Sequence, residues 1–141
     1  MDKEHKIFLI GCFITVSVIA YLLNWNFDSM ADTATTLVSI AVGVYIAAAS
    51  ALLGSPYAKE LKQTTDKKRT SNTLLGTLLD YFRHAGKLGI TTVIVSCLYK
   101  IPATYNVPII IARIGSAAAY GIFFCNILFL WLVFVFLVNS I

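Results

Sequence analysis

After Asp32 the chain runs for more than twenty residues without a charge, DTATTLVSIAVGVYIAAASALLG, and small or hydroxyl side chains return along it every three or four positions. At about 1.5 Å per residue, a helix of that length crosses the ~30 Å hydrocarbon layer of a bilayer. Asp32, Thr36, Ser39, Gly43, Ala47, Ser50 and Gly54 fall along one side of it, and Leu37, Val38, Ile40, Val44, Ile46 and Leu53 cover most of the rest. Inside lipid no water drives helices together, so association depends on close backbone approach and hydroxyl hydrogen bonds. The stripe of Thr36, Ser39, Gly43, Ala47 and Ser50 is therefore expected to pack or to line a pore. It faces either the seam between helices of one subunit or an axis shared by several copies, where its hydroxyls would touch water.

Three further apolar runs follow the same logic. A short polar head, MDKEHK, precedes Ile7 to Leu23, long enough to span; the run exceeds the usual core of a signal peptide and its head is mixed in charge, so we read it as an uncleaved first helix. Asn24 to Asp32 is a short external turn with two acids, no lysine or arginine, and Trp25 where an indole prefers the headgroup region. Gly54-Ser55-Pro56 stops the second helix. In SNTLLGTLLDYFRHAGK, Leu74, Leu75, Leu78, Leu79 and Phe82 share one side while Thr77, Asp80, Arg83, His84 and Lys87 lie towards the other. That pattern suits a helix on the inner leaflet or stacked below the bundle, bending or running straight into a third span that Lys100 interrupts. PATYNVP is a turn by its prolines, and Ile109 to Val138 is a run of about thirty residues, too long for one untilted crossing. The expected spans are 7–23, 33–54, 86–102 and 111–138, with a cytoplasmic loop at 55–85.

Composition agrees with this picture. Of 141 residues, 58% are hydrophobic and 13% charged, against about 45–50% and about 25% in soluble domains. The longest polar interval, roughly Ser55 to Thr73, is too short to bury a core of its own, so a single transmembrane domain is expected. Where the +4 charge lies matters more than its sum. Lys3, Lys6 and the seven cations from Lys59 to Lys87 make nine on one side of the layout, and Lys100 and Arg113 make two on the other. The positive-inside rule puts the nine in the cytoplasm. The fold class that results is an all-α, integral membrane four-helix bundle with both ends inside and a basic loop and amphipathic helix between spans 2 and 3.

Candidate chemistry is sparse. No Ser/His/Asp or Cys/His arrangement and no Gly-rich phosphate loop is present, so neither an enzyme nor a cofactor is expected. Cys12, Cys97 and Cys125 each lie inside an apolar run without metal-ligand spacing and read as packing or lipid-facing residues. His84 follows Asp80 by four residues, which a helix would turn into a surface pair. Asn126, in the middle of the last run, calls for an interhelical hydrogen bond. Arg113 reads as a snorkel to the outer surface, or as a gating or ion-selecting charge. Lys59, Lys62, Lys67, Lys68, Arg69, Arg83 and Lys87 are the expected cytoplasmic surface for a signal or for anionic lipid, because juxtamembrane cations attract such headgroups.

Around the exit of the second helix, Leu52-Leu53-Gly54-Ser55 and the basic stretch Lys59-Glu60-Leu61-Lys62 follow an acid-containing external turn and a helix dotted with Ser, Gly and Ala. In these residues, and in length and number of spans, the chain resembles the small four-span phage-exclusion membrane proteins of the RexB type. A longer basic loop and an aromatic last helix depart from that pattern. The resemblance implies membrane permeabilisation as an antiviral, abortive-infection output in a bacterial inner membrane. Four helices of one chain are too few to enclose a wide aqueous path, so a pore requires a homo-oligomer. Its trigger would be a cytoplasmic regulatory protein or a nucleotide-type ligand, with membrane lipids as the other partner and no nucleic acid expected. The alternative is a structural or assembly subunit that docks another membrane protein.

Overall fold

Apolar runs placed in lipid have no water to satisfy their backbone groups, so they close those groups internally as helices. The long apolar runs do so over nearly all their described residues. The structure, a computed structural model, describes residues 3–64, 73–101 and 108–140, leaving aside the side chains of residues 3, 4 and 136–140. It is all-α, with α1 at Lys3–Leu22, α2 at Asp28–Gly54, α3 at Tyr57–Gln63, α4 at Leu74–Lys100 and α5 at Ile109–Ser140. Three of these, α1, α2 and α5, are long and apolar enough to cross a membrane. Arg83, His84 and Lys87 in the first half of α4, and Lys100 at its end, dilute its apolar character.

α1 packs chiefly on α5 and α2 on α4, and the two pairs join where α4 meets α5. The turn after α1 shows why its sequence reverses the chain. Asn24 takes φ 54, a left-handed conformation that Asn tolerates better than most residues. The Trp25 amide then reaches back to the Ala20 carbonyl at 3.0 Å and closes the open end of α1. The Asn26 side chain accepts the Asp28 amide at 3.1 Å and starts α2. Between the two helices Phe27 is fully buried, edge-on to Tyr99 and Tyr120 with ring centroids 5.4 and 5.2 Å away.

The α2 face that packs is not the one expected from the small-residue stripe. Ala31, Ala34, Val38 and Tyr45 are buried, and they lie nearly opposite Thr36, Ser39, Gly43, Ala47 and Ser50, all of which are exposed. The reason lies on the partner helix. A Cβ added to Gly89 of α4 would collide with Val42 Cγ2 and come within 3.3 Å of Val38 Cγ1, whereas one added to Gly43 meets nothing within 4 Å. The missing side chain that lets α2 and α4 approach belongs to α4, and α2 supplies valines to fill the gap. A second close approach joins α1 to α5, where a Cβ on Gly121 would strike Ser17 Oγ and the Phe13 ring.

The expected amphipathic helix and the expected third span form one unbroken α4. Its leucine face turns into the core: Leu75, Leu78 and Phe82 are buried there with Thr77. The segment after Pro56 adds a short helix, α3, whose Leu61 is buried and which packs on α4 and α2. At the opposite end Lys100 holds Asp32 at 3.0 Å and Asp28 at 4.0 Å, tying the end of α4 to the start of α2.

Replacing Gly89 by Ala is expected to overpack the α2–α4 contact and lower stability in detergent by about 1–3 kcal/mol. Gly43→Ala, which adds its methyl to open space, is expected to stay within about 0.5 kcal/mol of the parent. Paired thermal unfolding measurements check both.

Candidate functional site

Two regions present chemistry that the fold leaves unused: the outer face of α2 and the basic end where α2, α3 and α4 meet. On the outer face, the Thr36 hydroxyl is satisfied by its own helix, donating to the Asp32 carbonyl at 2.9 Å. Asp32 is occupied by Lys100. Ser39 and Ser50 make no side-chain hydrogen bond among the described residues, and Gly43 opens onto empty space. Thr36, Ser39, Gly43, Ala47 and Ser50 therefore form an exposed small-residue surface among the described residues, with Ser39 at its edge beside a hollow shared with Val93 and Ile94 of α4.

The polar residue flagged in the last apolar run is placed as its chemistry requires. Asn126 is buried and donates one amide proton to the Thr92 hydroxyl of α4 and one to the Ile122 carbonyl of its own helix at 3.2 Å. Thr92 in turn donates to the Leu88 carbonyl at 3.0 Å. A short polar relay thus crosses the α4–α5 seam one turn from Gly89, whose missing Cβ would lie 3.7 Å from Asn126 Oδ1. Ser96, fully buried on the same face of α4, has no hydrogen-bond partner among the described residues.

Arg113 reaches the end of the bundle that carries the acidic turn. Its guanidinium donates to the Tyr21 carbonyl at 3.1 Å and lies 5.0 Å from the centre of the Tyr21 ring. The cation thus meets one of the last carbonyls of α1, which also accepts the Asn24 amide at 3.3 Å, where the helix dipole is negative. That position is at one end of the bundle and not in its middle.

At the basic end, Lys59 and Lys62 project from α3 and Arg83 and Lys87 from α4. Lys67, Lys68 and Arg69 lie outside the described residues. Asp80 does not meet the His84 ring through its carboxylate: His84 Nδ1 donates to the Asp80 backbone carbonyl at 2.7 Å, and the carboxylate faces Arg83 at 3.8 Å. Two features here escape sequence reasoning. His5 Nδ1 meets the hydroxyl of the buried Tyr81 and ties the start of α1 to α4. A groove of about 340 Å³ also opens between α2 and α4, bordered by Tyr45, Arg83 and Lys87. The pairings are 76 residues apart for His5 and Tyr81 and about 40 for Tyr45 and Lys87, beyond the reach of any local periodicity.

Cys125 is buried beside Cys12 across the α1–α5 seam, its thiol 3.5 Å from the Leu9 carbonyl. Among the described residues no three His, Cys, Asp or Glu side chains gather in a way that could hold a metal ion. Comparison of the chain with protein-family models, with curated proteins and with solved structures gives no match.

The Asn126–Thr92 bond is testable as a coupling. In a double-mutant cycle of Asn126→Leu and Thr92→Val, unfolding in detergent is expected to give a coupling of about 0.6–1.7 kcal/mol; a value near zero would mean that the two side chains do not share a bond.

Proposed function

We propose that this protein is a four-span, homo-oligomeric effector of the bacterial inner membrane that makes the membrane leaky when triggered from the cytoplasmic side. In this reading α4 is the third crossing, and its Arg83 and Lys87 lie at the inner boundary. The positive-inside rule places both chain ends and the α3 corner in the cytoplasm. The antiviral output rests on the resemblance at Leu52–Ser55 and Lys59–Lys62, which form the end of α2 and the body of α3.

One observation carries the oligomeric reading: the outer face of α2 is built of small and hydroxyl side chains, yet it stays exposed among the described residues. In lipid such a face gains by meeting a copy of itself or water, because small side chains let backbones approach closely. The inside of one chain leaves no comparable route. Two apolar clusters, one around Leu78, Tyr81 and Phe129 and the other around Phe27, Ala119 and Phe123, fill the middle of the bundle. Ions would pass between copies, along Thr36 and Ser50, with Ser39 at the α4 side of that path. The trigger would act on the exposed Lys59 and Lys62 of α3, whose Leu61 transmits displacement to α4.

In liposomes, triggered or unregulated protein is expected to collapse an ion gradient. Gly43→Leu or Ser39→Leu is expected to cut the leak at least about tenfold, the equivalent of 1.4 kcal/mol, without shifting thermal unfolding. Cross-linking through Ser50→Cys should trap copies of the chain. A protein that stays monomeric in nanodiscs, leaves gradients intact and co-purifies with a stoichiometric membrane partner would replace this reading with a docking subunit.

A further inference from the structure

We propose that the groove between α2 and α4 is a binding site for one anionic phospholipid, its phosphate held by Arg83 and Lys87 and one acyl chain lying along the seam. The lining is otherwise apolar, with Val42, Ile46, Ala49 and Ile90 beside the buried Tyr45 and Phe82, and the two cations border it one helical turn apart on α4. Lys87 forms no ion pair among the described residues, and Arg83 has only the 3.8 Å approach of Asp80. The groove does not end there. A second hollow of about 260 Å³ continues it past Ser39, Val93 and Ile94, sharing Val42 and Ile90 with the first.

Dimensions match a lipid better than a soluble anion. From Arg83 to Ile94 the α4 axis advances about 16 Å, close to the ~15 Å depth of one leaflet's hydrocarbon. Arg83 lies about 25 Å along the same helix from Lys100, which puts its head at the level where lipid phosphates begin. Long basic side chains at that depth keep their stems in apolar surroundings and their charge at the interface.

Tyr45 borders the groove with its ring, while its hydroxyl is enclosed by the protein and offers the groove no donor. The occupant is thus an amphiphile with negative charge at one end and a hydrocarbon tail. The site is complete in a single chain: it rests on the reading of α4 as a crossing, and not on self-association.

The full-length protein in detergent, titrated with phosphatidylglycerol, phosphatidylcholine or inorganic phosphate, provides the test, with retained lipid read by native mass spectrometry and stability by Tm. One phosphatidylglycerol per chain is expected, retained roughly tenfold or more over phosphatidylcholine, with a raised Tm that phosphate alone does not produce. Arg83→Gln with Lys87→Gln is expected to remove that preference. Gly86→Leu, whose side chain would enter the groove from a position where an added Cβ meets nothing within 4 Å, is expected to abolish retention while leaving the lipid-free Tm unchanged. Equal retention of the two lipids, full retention by Gly86→Leu, or a Tm rise reproduced by phosphate would each overturn the proposal. So would a cross-link from Gly86→Cys to a second copy lying in the groove. Should Gly86→Leu fail to fold, Lys87→Gln alone, at an exposed position, carries the same reading.

Discussion

Three helices meet at a side chain that is not there. Gly89 lets Val38 and Val42 of α2 settle against the backbone of α4, and on the adjoining side Asn126 of α5 hangs its amide on Thr92. In the four-span arrangement proposed above, lipid tails are as apolar as valine, and neither contact would draw on the hydrophobic effect. Both rely on dispersion at close range and on the absence of any competing water. The α2–α4 and α4–α5 seams therefore share one anchor, and much of the layout follows from its position along α4. Which face of α2 turns inward, where the groove opens, and which face is left outside are all set by the valines having to point at Gly89.

The ends of the bundle are held by different chemistry. On the side of the acidic turn, Phe27 fills the space between helices, Tyr120 donates to the Asn26 carbonyl at 3.3 Å, and Trp25 tilts onto Tyr120 with centroids 5.3 Å apart. Aromatic rings with polar tips suit the headgroup level, where one end of the ring is apolar and the other wet. Lys100 with its two acids sits at that rim, exposed and contributing little beyond orientation. The opposite rim is held by the His5–Tyr81 contact and by Leu61 of α3, and there Lys59, Lys62 and Lys87 form no ion pair among the described residues.

Much of the architecture is legible in the chain itself, because the apolar runs have the length of a bilayer and backbone in lipid must be helical. Asn126 was legible for a related reason: a carboxamide in the middle of an apolar run has to find a partner. Arg113 was too, since a guanidinium near the start of such a run can reach the surface. The orientation of α2 was not. Ala31, Ala34, Ala48 and Ala49 are as small as Ala47, so two faces of the helix qualify as packing faces. The choice between them was made by Gly89, some 45 residues away on another helix. The His84–Asp80 pair failed for a local reason: the imidazole found a backbone carbonyl closer than the carboxylate.

The anchoring of Arg113 on the end of α1 fixes the height of α5 at one rim. From Arg113 to Ser140 the helix runs about 40 Å, roughly 10 Å more than the hydrocarbon layer is thick. Where α5 crosses, that surplus is absorbed by tilt or emerges beyond the hydrocarbon, and the contact with Tyr21 makes α1 share whatever tilt α5 adopts.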